Sequence, residues 1–290
     1  MSEQLGFIGV GLMGHGIAAN LLRAGHGMSV LGNRNRAPVD DLVSQGAHEV
    51  KDHADLAERA EIIFLCVTAS PQVESNVEAL LPHLRAGQLI VDVTTAKPES
   101  TMALAGKLAE RGVGLVDAPV TRGPKDAEAG RLVALVGAEA AAFARVRPLL
   151  ESYCETVVHM GGVGAGHTAK LLNNFVTMGY AALIAQAYGA ATAAGVDWHG
   201  LHTAMSMGAA RSGTLEKMVK PALEGDFQGH QFAVANGLKD ASYARAMLQS
   251  LGRDSDLAAA SEAYMQRAVD VGLGDRMLSE LLRDDPMTRG

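Results

Sequence analysis

Apolar residues in the first half of the chain fall into short runs separated by helical spacing. Leu5-Gly-Phe-Ile-Gly9 reads as a strand, and Ile17 to Arg23 as a helix closed by Gly25. A second strand follows at Met28 to Leu31, then a helix from Pro38 to Gln45 with proline in its first turn, and a short strand at Ala47 to Val50. Glu61 to Val67 is continuously apolar after its first residue, as a strand covered on both faces must be. Thr68-Ala-Ser70-Pro71 breaks that run and starts a helix. Gln88 to Val93, Gly114 to Ala118, Arg131 to Gly137 and Thr156 to Met160 read as further strands, with helices at Pro98 to Arg111 and in the alanine-rich patch Glu139 to Ala144. Alternation of this kind predicts an α/β sheet.

Beyond Gly161-Gly162 strand signals cease. Ala165 to Gly195 holds no proline and much alanine, so the pattern predicts one unbroken helix of about eight turns. Asp197 is placed to cap a helix over Trp198 to Met207, and Thr214 to Leu223, Phe232 to Gly252 and Ser255 to Gly272 carry amphipathic spacing. The segment Phe175 to Ala194 is about twenty uncharged residues, long enough in principle to cross a bilayer. Its alanine content, Gln186, Gly179, Gly189 and the adjoining Asn174 favour instead a helix buried between packed layers. The expected organisation is residues 1–162, an interdomain helix over 163–195, and an all-helical part over 196–290, with a polar, frayed tail from Asp284.

A chain of 290 residues can bury cores for two domains. A net charge of -7 with no run of Lys or Arg argues against a nucleic-acid or membrane-surface partner. Cys66 and Cys154 are too few for a disulfide framework, and the N-terminus opens directly into a strand, so a reducing cytoplasm is expected. The apolar surface left by the long helix and the helical domain leads to the expectation of a homodimer or homotetramer.

The first strand leads into Gly9-Val-Gly11-Leu12-Met13-Gly14 and then a helix. That order suits a dinucleotide: glycines allow a tight turn and close approach of backbone to a pyrophosphate, and the helix N-terminus supplies N–H groups. A plain glycine-rich turn is the structural alternative. An acidic residue after the second strand would bind the ribose 2′-hydroxyl of NAD. This chain has Asn33 and Arg34, which suit a 2′-phosphate, unless the arginine merely sits in a solvated loop. NADP is therefore the first choice and NAD the second. Ligands in such sheets collect at the carboxyl ends of strands, so Val67, Thr68 and Thr95 are cofactor candidates by position.

Thr121, Arg122 and Gly123 combine a hydroxyl, a permanent positive charge and a bare backbone N–H, which suit an anionic group or else a surface turn held by Gly123-Pro124. Lys170 and Asn174 are four residues apart on the long helix and share a face. A lysine there could equally reach for water from a buried helix. Lys239-Asp240 reads, unaided, as an ordinary solvated pair. His199 and His202 lack further ligands nearby, and neither an HExxH nor a Gly-x-Ser-x-Gly elbow occurs, so no metal site is expected.

Four ordered motifs resemble the β-hydroxyacid dehydrogenase family over roughly Leu5 to Leu282: Gly6-Phe-Ile-Gly-Val-Gly-Leu-Met-Gly14, Asp117-Ala-Pro-Val-Thr121, Gly164-Ala-Gly-His-Thr-Ala-Lys170-Leu-Leu-Asn-Asn174 and Leu238-Lys239-Asp240. The resemblance implies an N-terminal Rossmann-type doubly wound sheet, a long interdomain helix and a C-terminal all-α domain, with the active site in the cleft. It implies that Lys170 is the catalytic lysine and Asn174 orients substrate. Lys239 would reach the cofactor region, and Met13, Val67, Thr68 and Thr95 would line its nicotinamide half.

Two positions depart from the family pattern. Many members have Ser-Gly-Gly where this chain has Thr121-Arg122-Gly123, and proline is frequent at the position of Gly16, to which only a small structural meaning attaches. The implied reaction is hydride transfer between NADPH and a small anionic aldehyde or hydroxy acid, with Lys170 as general acid or base. Two alternatives stay open: a non-catalytic dinucleotide-binding protein, and an imine reductase, whose members usually replace the lysine.

Overall fold

The computed structural model describes residues 3–33 and 35–286. Arg34, named above as a 2′-phosphate contact, lies outside the described residues. The chain divides into two compact units, one running to Lys170 and the other beginning at Leu171.

In the first unit, strands β1 (Gln4–Ile8), β2 (Gly27–Leu31), β3 (His48–Val50), β4 (Ile62–Leu65), β5 (Leu89–Asp92), β6 (Gly114–Asp117), β7 (Val120–Thr121), β8 (Leu132–Gly137) and β9 (Cys154–Gly161) form one sheet. Its helices are α1 (Gly14–Arg23), α2 (Ala37–Ser44), α3 (His53–Arg59), α4 (Ser70–Leu80), α5 (Pro98–Ala109), α6 (Pro124–Glu128) and α7 (Ala140–Leu150). The strand order β3-β2-β1-β4-β5-β6 is parallel throughout, β8 runs antiparallel to β6 and β7, and β9 pairs parallel with β8. Strand order reverses between β1 and β4, where such sheets bind ligands.

Period-two burial explains the apolar runs. Leu5 and Phe7 of β1, Ile62 and Phe64 of β4, and Leu89 and Val91 of β5 fill one core. Ile8, Ile63, Leu65 and Ile90 fill a second on the opposite face. Both faces are covered, so the strands read as continuous rather than alternating. Phe64 stacks on Phe7 with centroids 5.9 Å apart and meets the edge of Tyr153 at 6.4 Å.

The long helix α8 (Ala165–Ala194) is unbroken, as its composition predicts. In the second unit it is followed by α9 (Trp198–Met207), α10 (Gly213–Leu223), α11 (Val234–Ser250) and α12 (Asp256–Ala268). Met178, Ala181, Ala182, Ala185 and Tyr188 turn one face of α8 into this unit's core. Leu172, Val176, Tyr180 and Leu183 form an exposed apolar stripe on the same helix. Asp197 caps α9 by accepting the Gly200 N–H at 2.7 Å, and Ser212 and Ser255 cap α10 and α12 in the same way. No helix among the described residues is long and apolar enough to cross a membrane.

Some elements depart from expectation. The short helices α3 and α6 were not anticipated; α3 starts where the Asp52 carboxylate accepts the Asp55 N–H at 2.9 Å. Helix α12 stops at Ala268, and Gly272 then takes a φ of 84°. The tail is not frayed at its start, because Asp285 is buried and accepts the Tyr264 hydroxyl at 3.2 Å.

Candidate active site

The connection from β1 to α1 shows why its glycines stand where they do. Gly9 has a φ of 98°, and a side chain there would collide with the carbonyl of Cys66 and come within 3.1 Å of the Val67 side chain. A Cβ on Gly14 would collide with the Gly9 carbonyl, whereas a Cβ on Gly11 would meet open space. The turn is thus folded tightly on itself while Gly11 and the 79 % exposed Leu12 face outward. Helix α1 has no side-chain cap and no acidic residue in its first turn, which keeps its positive end suited to a phosphate. These features fit a dinucleotide.

Gly16 carries more structural weight than its sequence position suggests. A Cβ there would lie 2.6 Å from the Glu128 backbone nitrogen, so α1 and α6 approach through a glycine. Asn20, one turn on, fastens the contact by donating to the Ala127 carbonyl at 2.8 Å and to the Gly16 carbonyl at 2.7 Å.

At the ends of the neighbouring strands, the Val67 N–H donates to Thr94 Oγ1 at 3.2 Å, which ties the end of β4 to the end of β5. Thr95 is half-buried next to it, and Thr68 and Asn33 are exposed. The structure therefore brings the glycine turn, Val67 and the Thr94–Thr95 segment together.

Helix α8 begins on a buried polar cluster. The Asp117 carboxylate, fully buried at the end of β6, accepts the Gly164 and His167 N–H groups, each at 2.7 Å. It acts as a helix cap supplied from about fifty residues away in sequence. His167 is also fully buried; its Nε2 lies 2.9 Å from the Thr94 carbonyl and its Nδ1 2.7 Å from Thr101 Oγ1. A carbonyl only accepts, so Nε2 carries hydrogen. Asp92 Oδ2 stands 3.8 Å from the ring, Asp92 Oδ1 accepts the Thr94 N–H, and burial pushes that carboxyl above the usual carboxylate range. Gly166 lets the helix seat on the sheet, since a Cβ there would lie 2.6 Å from the Asp117 carbonyl. Lys170, half-buried, follows His167 by three residues on the same helical face.

This pinning network is not visible in the sequence: Asp117 and His167 belong to two of the family-like motifs, but nothing local marks them as partners.

The turn after β7 holds Thr121, Arg122 and Gly123. Arg122 has a φ of 77°, the left-handed region that favours glycine. Its guanidinium lies 2.5 Å from a Glu155 carboxylate oxygen and 2.5 Å from the Arg131 carbonyl. Arg122 is thus engaged with the protein's own carboxylate, and Gly123 serves as N-cap of α6.

In the second unit, Asn174 is 5 % exposed and donates through Nδ2 to Asp240 Oδ2 at 2.6 Å, while its Oδ1 accepts from Asn173 at 3.0 Å. A carboxylate only accepts, which fixes the orientation of the amide. Asp240 is 2 % exposed, and Lys239 Nζ lies 3.2 Å from its other oxygen and 5.8 Å from the Tyr243 ring. The expectation of a solvated Lys239-Asp240 pair is corrected: α11 turns the carboxylate inward onto α8. Among the described residues no group of three or more His, Cys, Asp or Glu is placed to hold a metal ion.

Comparison with known proteins agrees with this architecture. Residues 4–162 match the family described as the NAD binding domain of 6-phosphogluconate dehydrogenase, and residues 164–284 match the family described as NAD-binding of NADP-dependent 3-hydroxyisobutyrate dehydrogenase. The chain is 34% identical over 232 residues to 2-(hydroxymethyl)glutarate dehydrogenase of Eubacterium barkeri, covering 79% of this chain and 77% of that one. It is 35% identical over 233 residues to 2-hydroxy-3-oxopropionate reductase of Escherichia coli, covering 78% and 79%. The fold matches Mycobacterium tuberculosis 3-hydroxyisobutyrate dehydrogenase with a TM-score of 0.88 at 22% identity, over 98% of this chain and 99% of that one. With a glycine turn at the switch point of a parallel sheet, followed by a long helix and a helical unit, the chain belongs to the β-hydroxyacid dehydrogenase family of NAD(P)-dependent oxidoreductases.

Proposed function

We propose that this chain uses NADP to interconvert a small aldehyde acid and its hydroxy acid, with Lys170 as general acid in reduction and general base in oxidation. Gly9, Gly11, Leu12 and Gly14 would hold the pyrophosphate side of the cofactor, Asn33 and Arg34 its 2′-phosphate, and Met13, Val67, Thr68, Thr95 and Lys239 its nicotinamide half. When bound, NADPH supplies the hydride. The observation that supports the reading most is the seating of α8: Asp117 and His167 pin its first turn to the carboxyl ends of β5 and β6, immediately before Lys170.

As a carbonyl carbon is reduced, its oxygen gains negative charge. The Lys170 ammonium stabilises that oxygen and hands it a proton; in oxidation the neutral amine takes the proton back. Asn174, fixed by Asp240, orients the reacting group with its remaining N–H. The Thr121 hydroxyl and the Gly123 N–H hold the acid group, and Arg122 joins them by exchanging Glu155 for the substrate anion. An exposed ion pair is worth only about 0–1 kcal/mol, so that exchange costs little. NADP is favoured over NAD because an amide and an arginine follow β2 where an NAD site has a carboxylate. The reading places the enzyme in the cytoplasm, which suits its two unpaired cysteines, as a homodimer or homotetramer joined through the exposed stripe of α8.

NADPH oxidation across glyoxylate, succinic semialdehyde, tartronate semialdehyde, methylmalonate semialdehyde and sulfolactaldehyde tests this. Turnover of at least one acid, faster with NADPH than with NADH, is expected. NADPH binding without turnover of any of them would leave a dinucleotide-binding protein instead.

A further inference from the structure

Between the glycine turn and the β2–α2 connection lies a pocket of about 400 Å³, lined among others by Gly11, His15, Asn35, Pro38, Asp41 and Glu128. It borders the residues that follow β2, the adenosine side of a dinucleotide site. Two of its lining groups are carboxylates, an unwelcoming wall for an anion. His15 stands between them, with Nδ1 2.8 Å from Glu128 Oε1 and Nε2 2.7 Å from Asp41 Oδ2. A carboxylate only accepts, so each ring nitrogen donates, and an imidazole that donates from both nitrogens is an imidazolium.

Among the described residues around the pocket, the other cations are engaged elsewhere. From α2, Asp41 also accepts Gln45 Nε2 at 2.6 Å, and Arg36 is already paired with Glu49 at 2.6 Å and Asp40 at 2.9 Å. From α6, Asp126 lies 3.5 Å from Arg131, and Lys125 shares the helix but does not line the pocket. On α1 itself, Arg23 donates to the Glu128 carbonyl at 3.2 Å, not to its carboxylate. Among the described residues lining the pocket, His15 alone can carry positive charge.

We propose that His15 strengthens the preference for NADP over NAD that Asn33 and Arg34 begin: clamped between Asp41 and Glu128, its positive charge cancels one of two negative charges that would otherwise face the ribose phosphate. This rests on the NADP reading above and concerns the affinity of that site, not the chemistry at Lys170. Burial draws the imidazole's pKa down, but the hydrogen bonds to Glu128 and Asp41 outweigh it and raise the pKa above the ordinary 6.5. The charge is therefore complete below that value and is lost as pH rises through the higher folded value. Discrimination between the two cofactors falls in the same direction.

The experiment is fluorescence titration of NADPH and NADH binding between about pH 7 and about pH 9, above the second phosphate ionisation near about 6. In the wild type the NADH-to-NADPH ratio of dissociation constants is expected to fall roughly three- to tenfold across that range. His15→Gln should show the lowered ratio throughout, without slope. His15→Lys, charged across the range, should keep the high ratio without slope, and Asp41→Asn in the His15→Gln background should restore part of the lost preference. A His15→Gln protein that retains the wild-type ratio and slope, or loses thermal stability while the ratio stays put, would overturn the proposal. A wild type that prefers NADH at neutral pH contradicts the NADP reading instead, and the slope of its ratio still decides the part played by His15.

Discussion

Arg122 shows how one residue can carry opposing terms. Its left-handed backbone costs about 1–2 kcal/mol relative to a relaxed residue, and glycine would remove that cost while adding about 0.4–1 kcal/mol of unfolded-state entropy. Breaking the partly exposed Glu155 pair adds about 0–1 kcal/mol. These nearly cancel, so Arg122→Gly is expected to shift unfolding free energy by less than about 1 kcal/mol in a denaturant titration. Selectivity should respond more strongly: a lost charged contact to substrate is worth about 1.5–3 kcal/mol, or about tenfold or more in relative kcat/KM among the acids. Unchanged ratios would remove Arg122 from the substrate site. The same scale shows what the sequence displays and hides. That Lys170 and Asn174 share a face of α8 is legible because four-residue spacing on a helix is a local rule, whereas the role proposed for that face comes from the family resemblance. The hold of Asp117 on Gly164 and His167, and of Asp240 on Asn174, joins residues 47 to 66 apart, and no local spacing carries that information.

Among elements, the approach of α1 to α6 has the sharpest steric demand. Gly16 leaves no room for a side chain, since the atoms in the way belong to the backbone at Ala127 and Glu128. Gly16→Ala is expected to destabilise the protein by about 1–3 kcal/mol, the usual cost of overpacking, and to weaken dinucleotide binding because α1 carries the glycine turn. Thermal unfolding together with NADPH titration checks both effects; an unchanged melting temperature would show that α6 can move aside freely. The long elements were readable from pattern because each buries a continuous face, as β4 and α8 do. Helices α3 and α6, of 7 and 5 residues, escaped because so few turns set up no periodicity. In the second unit, Gly272 at a φ of 84° ends a helical pattern that would otherwise run on from α12.

For the whole molecule, the order of strand signals followed by their absence was sufficient for an α/β unit and a helical one, because covered parallel strands and amphipathic helices demand different residues. The chemistry was less legible than the fold. Motifs named a glycine turn and a lysine, but only coordinates show that His15 sits between two carboxylates and that Arg122 faces Glu155. Proton transfer at Lys170 is the central step of the proposed reaction, and the most direct measurement compares steady-state turnover and NADPH affinity of Lys170→Ala with the wild type, on an acid that the wild type reduces. Turnover is expected to drop by about 10²- to 10⁴-fold with NADPH affinity preserved. Turnover at the wild-type rate in that variant would contradict it.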